Sequence, residues 1–226
     1  MENKSASSEY EKAIDYIYTL MQEGHLKVGS KLPTERAIAE RLGIGRNSTR
    51  EALCILHGMG LVERVQGSGN YVSKNIGSSI KQILTVTLAL GTITRQDVCS
   101  FRRIMEKSVC MLLVDKDLSL QQVKHFEEIF DRMKNSVEDA MPELDKAFHD
   151  SLILATDNTL FITIMEAITE VYREWIDAAL KKADIDQKHK LVEYHRGIFQ
   201  NIVNKNTDEM LYFIDKHYDL TDEMLG

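Results

Sequence analysis

The sequence predicts a mainly α-helical protein. A winged helix-turn-helix domain spans residues 8–74, and an all-helical antiparallel bundle of about seven helices spans 79–226. Three observations predict this. Residues 32–53 read as helix, glycine turn, helix. Strand-like alternation is confined to 61–73. From residue 79 onward apolar side chains recur at helical spacing, and the whole chain holds only two prolines.

The elements follow in order. Residues 8–23 place Ile14, Ile17, Tyr18 and Met21 on one helical face. Thr34, after Pro33, offers a helix start, and Ile38, Ala39 and Leu42 form an apolar face. Gly43 supplies the left-handed residue that a helix C-terminus favours. A second helix opens near Gly45 to Asn47 and carries Ala52, Leu53, Leu56 and Met59 inward, with Arg46, Asn47, Ser48 and Arg50 turned outward. That arrangement is the helix-turn-helix pattern, whose second helix enters the major groove of double-stranded DNA. The alternative is an ordinary solvated pair of amphipathic helices. Residues 61–65 and 70–73 alternate around a Gly-Ser-Gly turn and read as a hairpin wing. Residues 74–79 are short and polar, and the domain boundary is placed there.

Charge agrees locally. The chain carries a net −7, but residues 1–78 hold 10 basic and 9 acidic side chains, leaving 18 and 26 for 79–226. Between 31 and 50, five basic residues stand against two acidic ones. A small positive patch on an acidic body suits a duplex-binding head.

The stretch Gly24–Arg36, with Ala39-Glu40, Leu42-Gly43-Ile44, Arg46, Arg50–Leu53 and Gly60-Leu61-Val62, resembles the winged-helix head of the GntR family of bacterial transcription regulators. The resemblance covers roughly residues 8–74. It implies that Arg36, Arg46 and Arg50 contact DNA, with Asn47 and Ser48 nearby, and that a wing around Gly67 grips the minor groove or its phosphates. It also implies a homodimer reading a palindromic operator. Gly45 is a departure: the family usually has Ser or Thr there, capping the recognition helix and touching phosphate.

In the second half the expected helices are 79–90, 95–115, 119–136, 142–156, 159–182, 186–204 and 208–224. Thr94, Ser119 with Gln122, Pro142, Asn158, Asp184 and Thr207 mark their starts. Asp145 and His149 are i, i+4 on one helix, beside the apolar Leu144, Phe148 and Leu152, so the pair borders the core. His195 adjoins an Ile198/Ile202 stripe, and His217 lies on the last helix. Three imidazoles and one carboxylate suit a divalent transition metal (Zn, Ni, Fe or Mn) with coordination positions left open. Core-edge histidines that are merely hydrogen-bonded give the same pattern. His25, His57, His125 and His189 lack such partners and read as surface or packing residues.

The element Asp145-Lys146-Ala147-Phe148-His149, followed by Ala155-Thr156-Asp157-Asn158, resembles the FCD-type ligand-binding domain of the FadR subgroup of the same family. His195 and His217 stand at its two later metal-binding histidines. The resemblance implies a small carboxylate effector, an organic or sugar acid, held by the metal and an arginine, here Arg102. Ser100 replaces an acid usual two residues before that arginine, and Tyr194 an acid frequent before His195. Arg102 can equally form an i, i+4 pair with Glu106.

The reading is a cytoplasmic, ligand-responsive repressor, not an enzyme. No paired Glu-x-x-His elements, nucleophile–base constellation or phosphate-binding glycine loop is visible, although a helical metalloenzyme and a head on a purely structural bundle stay open as alternatives. No apolar run is long enough to span a membrane. Cys54, Cys99 and Cys110, scattered and without a CxxC, read as reduced thiols.

Overall fold

The computed structural model describes residues 8–74, 77–135 and 140–226. Asn75 and Ile76 of the predicted linker, and Ser136 at the expected end of the third bundle helix, lie outside them. The chain divides into two compact units, Met1–Ser79 and Ile80–Gly226.

The first unit contains α1 (Glu9–Gln22), α2 (Glu35–Leu42), α3 (Arg46–Gly58), β1 (Val62–Val65) and β2 (Gly69–Val72). Thr34 caps α2 by accepting from the Ala37 N–H at 3.2 Å, and Gly43 ends it at φ 64°. The α2–α3 turn is thus built from the residues that local chemistry favours for each position. Ala13, Ile17, Ile38, Ala52 and Leu56 bury completely between the helices, with Val62 and Val72 closing the core from the hairpin. Burying these side chains stabilises the unit by about 1.5–3 kcal/mol for each of the larger ones. Met59, expected inside, is instead the C-cap of α3 and 47% exposed. The helical stripe ends one turn earlier, at Leu56. The hairpin pairs Val62 with Val72 through Val65 with Gly69. Residues 29–32 also lie along β2: Gly29 donates to Val72, Val72 to Ser30, and Leu32 to Asn70.

The second unit is made almost wholly of α4 (Gly77–Ala89), which begins at its boundary, α5 (Arg95–Val114), α6 (Leu120–Asn135), α7 (Met141–Ala155), α8 (Thr159–Lys182), α9 (Ile185–Val203) and α10 (Thr207–Leu225). Each observed start and end lies within two residues of its expected position where both are described. Capping boxes at Thr94/Asp97 and Asp184/Gln187 fix α5 and α9, Asn158 caps α8, and Asn206 rather than Thr207 caps α10. One apolar cluster joins α5, α6, α7, α9 and α10 around Phe126, Phe130, Phe148 and Phe199. Another joins α5, α7, α8, α9 and α10 around Ile168, Tyr172 and Leu191.

Gly197 sets one spacing in the bundle. A Cβ at that position would fall 2.5 Å from the Phe213 ring, so only glycine lets α9 and α10 approach this closely there. That approach matters because these two helices carry His195 and His217. Among the described residues no helix is long and apolar enough to cross a membrane.

Candidate metal centre and nucleic-acid interface

The bundle brings Asp145 and His149 of α7, His195 of α9 and His217 of α10 to one point. One possible ligand atom from each lies within 4.8 Å of all the others. Asp145 Oδ1 is the hub, 3.3 Å from His195 Nε2, 3.5 Å from His149 Nε2 and 3.9 Å from His217 Nε2. Donors held about 2.1 Å from one ion stand about 3–4 Å apart, so these separations suit a shared divalent cation. The quartet is buried, not at the core edge as the spacing suggested: His195 is 0% and His149 1% exposed.

Both ring nitrogens of His195 and of His217 are buried without a hydrogen-bond partner among the described residues. Buried imidazoles in a merely structural role are normally hydrogen-bonded. Four orphaned nitrogens around a carboxylate are what a set of metal donors looks like, and the residues present fit such an ion.

The charges compensate one another. Burial, which opposes ionisation, is outweighed at Asp145 by the charge on His149 and by the imidazole nitrogens facing it, and its carboxyl sits well below the usual range. At His149 burial is overcome by Glu106 and Asp145, whose charges raise it to about 9. Burial pulls His195 down to about 3 against its contact with Asp145, and lowers His217 likewise.

Arg102 is buried beside this centre. Its Nε donates to Tyr218 Oη at 3.3 Å and lies 3.9 Å from Glu106 Oε2, and its guanidinium covers the Tyr172 ring at 4.5 Å. Its two terminal nitrogens make no hydrogen bond among the described residues, so the fork that suits a carboxylate is unused. The i, i+4 pairing with Glu106 exists as well. Tyr172 and Tyr218 were missed by the sequence reading, because apolar spacing alone makes them core residues.

In the first unit Arg36, Arg46, Asn47 and Arg50 are exposed, and Ser48 is half-buried. Lys31, Thr34, Arg36, Arg46, Arg50, Arg64, Gly67, Ser68 and Asn70 line one groove between the start of α3 and the wing. Two contacts were not foreseen. Arg50 pairs with Glu35 at 3.1 Å. Glu9 of α1 accepts from the Gly45 N–H at 3.1 Å and the Ser48 hydroxyl at 2.8 Å. A carboxylate from another helix thus caps the α3 terminus, where Gly45 has no side chain to do so.

Residues 9–72 match the model of the gntR family of bacterial regulatory proteins, and residues 97–220 match the FCD domain. The chain belongs to the GntR family, FCD type. Its relatives include the uncharacterised HTH-type transcriptional regulator YcbG of Bacillus subtilis, 26% identical over 91% of this chain and 85% of that protein. The HTH-type transcriptional regulator LutR of the same organism is 29% identical, over 83% and 87% respectively. The Glc operon transcriptional activator of Escherichia coli K12 is 26% identical, over 79% and 76%. A solved structure of a GntR protein from Streptococcus agalactiae shares the fold at a TM-score of 0.72 and 24% identity, covering 95% of this chain and 99% of that one.

Proposed function

We propose that this protein is a cytoplasmic, homodimeric transcription repressor. On this reading it leaves a palindromic operator when a small carboxylate binds at a divalent metal in the bundle. GntR-family regulators bind DNA operators and typically act as dimers. The observation that carries the ligand half is the buried Asp145/His149/His195/His217 group, with orphaned imidazole nitrogens and the open Arg102 fork beside it. The four side chains would hold the ion. The ion would supply a Lewis-acidic position for a carboxylate oxygen, and Arg102 would orient the same group through its paired N–H donors.

In the head, Arg36, Arg46 and Arg50 would meet the duplex, with Asn47 and Ser48 at the mouth of the recognition helix and Gly67 in the wing. An effector can loosen DNA only through its differential affinity for the free and DNA-bound states. One relative is named a transcriptional activator, which favours a second reading in which this protein activates instead of represses.

The test combines elemental analysis of the purified protein with a DNA-binding assay across a panel of hydroxy- and sugar acids. Stoichiometric metal, and a carboxylate that changes DNA affinity only in metal-loaded protein, are expected. A protein that takes up no divalent ion and ignores every acid would leave a head on a structural bundle.

A further inference from the structure

Glu106 of α5 is 1% exposed and touches the quartet from outside it. His149 Nδ1 lies 2.6 Å from Glu106 Oε1. The approach is off the ideal N–H···O axis, and neither atom has another hydrogen-bond partner. At that separation a bare nitrogen lone pair would face a carboxylate oxygen, so a proton must lie between them. With the proton on Nδ1, a neutral His149 carries its lone pair on Nε2, the atom 3.5 Å from Asp145 Oδ1. The other carboxylate oxygen is fixed in turn. Tyr218 Oη donates to Glu106 Oε2 at 2.9 Å while accepting from Arg102 Nε at 3.3 Å.

We propose that Glu106 is the positioning carboxylate of the metal centre. Held by Tyr218 and Arg102, it accepts the hydrogen bond of His149 Nδ1–H and so aims the Nε2 lone pair at the ion. The inference rests on the metal reading above. It adds that metal affinity depends on a residue that never touches the metal, as partners behind ligating histidines generally require. It also links Arg102 to one of the four side chains through a line of polar contacts: guanidinium, phenol, carboxylate, imidazole.

The test measures Zn²⁺ affinity of the full chain by competition with a chromophoric chelator at fixed pH. The proteins are wild type, Glu106→Gln and Tyr218→Phe, each checked for helical content. A glutamine can turn its NH₂ toward Nδ1 and force the proton onto Nε2. Glu106→Gln should therefore weaken Zn²⁺ binding by about 10–100-fold. Tyr218→Phe, which only frees Glu106, should weaken it by less. Nitrogen NMR of the Zn²⁺-loaded proteins, in which His149 must be neutral, should place its proton on Nδ1 in wild type and show that Nδ1–H signal altered or lost in Glu106→Gln. A folded Glu106→Gln that binds Zn²⁺ as tightly as wild type overturns the proposal and leaves the metal reading standing. Wild type that binds no Zn²⁺ removes both. If Glu106→Gln fails to fold, Tyr218→Phe decides, and unchanged affinity there overturns the proposal.

Discussion

The two units put their candidate working residues in opposite environments. Arg36, Arg46, Asn47 and Arg50 of the head are exposed, above a core that is almost entirely apolar. Asp145, His149, His195 and His217 of the bundle are buried in the core itself, next to Phe148 and Tyr218. Side chains that read DNA need only be held toward a polyanion, so their removal costs the fold little. A buried carboxylate and three imidazoles must instead satisfy one another, since burying an unpaired charge is strongly destabilising. On the proposed function, the head would separate function from stability, and the bundle would join them.

The largest effect expected from breaking this contrast is at the quartet. His195→Ala or Asp145→Ala should lose metal by elemental analysis and lower the melting temperature of the bundle, not of the head. Chelator should do the same to wild type. At free metal a hundredfold above its Kd, binding adds about 2.7 kcal/mol, which is what chelation would remove.

The pH dependence carries the same signature. Without metal, burial keeps His195 down at about 3 and His217 below its ordinary value, so the unfolded chain binds more protons than the folded one below about pH 6.5. Stability then falls as pH drops from there. His149, raised to about 9, contributes stability that is full below about 6.5 and is lost as pH rises toward 9. The metal-free bundle should melt highest near pH 6.5. Metal requires neutral imidazoles, so its presence should abolish the alkaline loss. A flat melting profile from pH 5 to 9 in chelator would contradict these assignments.

Gly197→Ala sharpens the comparison from the packing side. Its methyl would meet the Phe213 ring at 2.5 Å, and overpacking of this kind costs about 1–3 kcal/mol. Because α9 and α10 carry His195 and His217, a drop in metal affinity should accompany the drop in melting temperature. Arg46→Ala and Arg50→Ala should each cost about 1–3 kcal/mol in operator binding if they reach base edges, with no change in bundle melting or metal content. A gel-shift titration with a salt series checks this. The smallest effect is expected at Gly45→Ser. Gly45 has the extended backbone of an N-cap, and a Cβ there would meet Glu9 Oε2 at 3.4 Å. A gain of a few tenths of a kcal/mol in the head is expected by chemical denaturation, in line with the small difference between Ser and Gly caps.

The elements were legible in the sequence because their signals are local. Thr34, Asn158 and Asp184 each cap a helix through their own side chains, and Gly43 ends one by its own backbone freedom. Half of the quartet was legible for the same reason: Asp145 and His149 share a helix face by spacing alone. That His195 and His217 join them is a fact of packing between α7, α9 and α10. Residue type and apolar neighbours left them equally readable as hydrogen-bonded core-edge histidines, and the resemblance favoured the metal set. Glu106 looked like the i, i+4 partner of Arg102, and only the approach of α5 to α7 reveals it beside His149. Glu9 looked like an ordinary first-turn acid of α1, and only the meeting of α1 with α3 makes it the cap that Gly45 lacks. Local sequence fixes backbone conformation because caps, turns and periodicity act within a few residues. The electrostatic environment of a side chain depends on helices far apart in the chain, and only the packed core determines that.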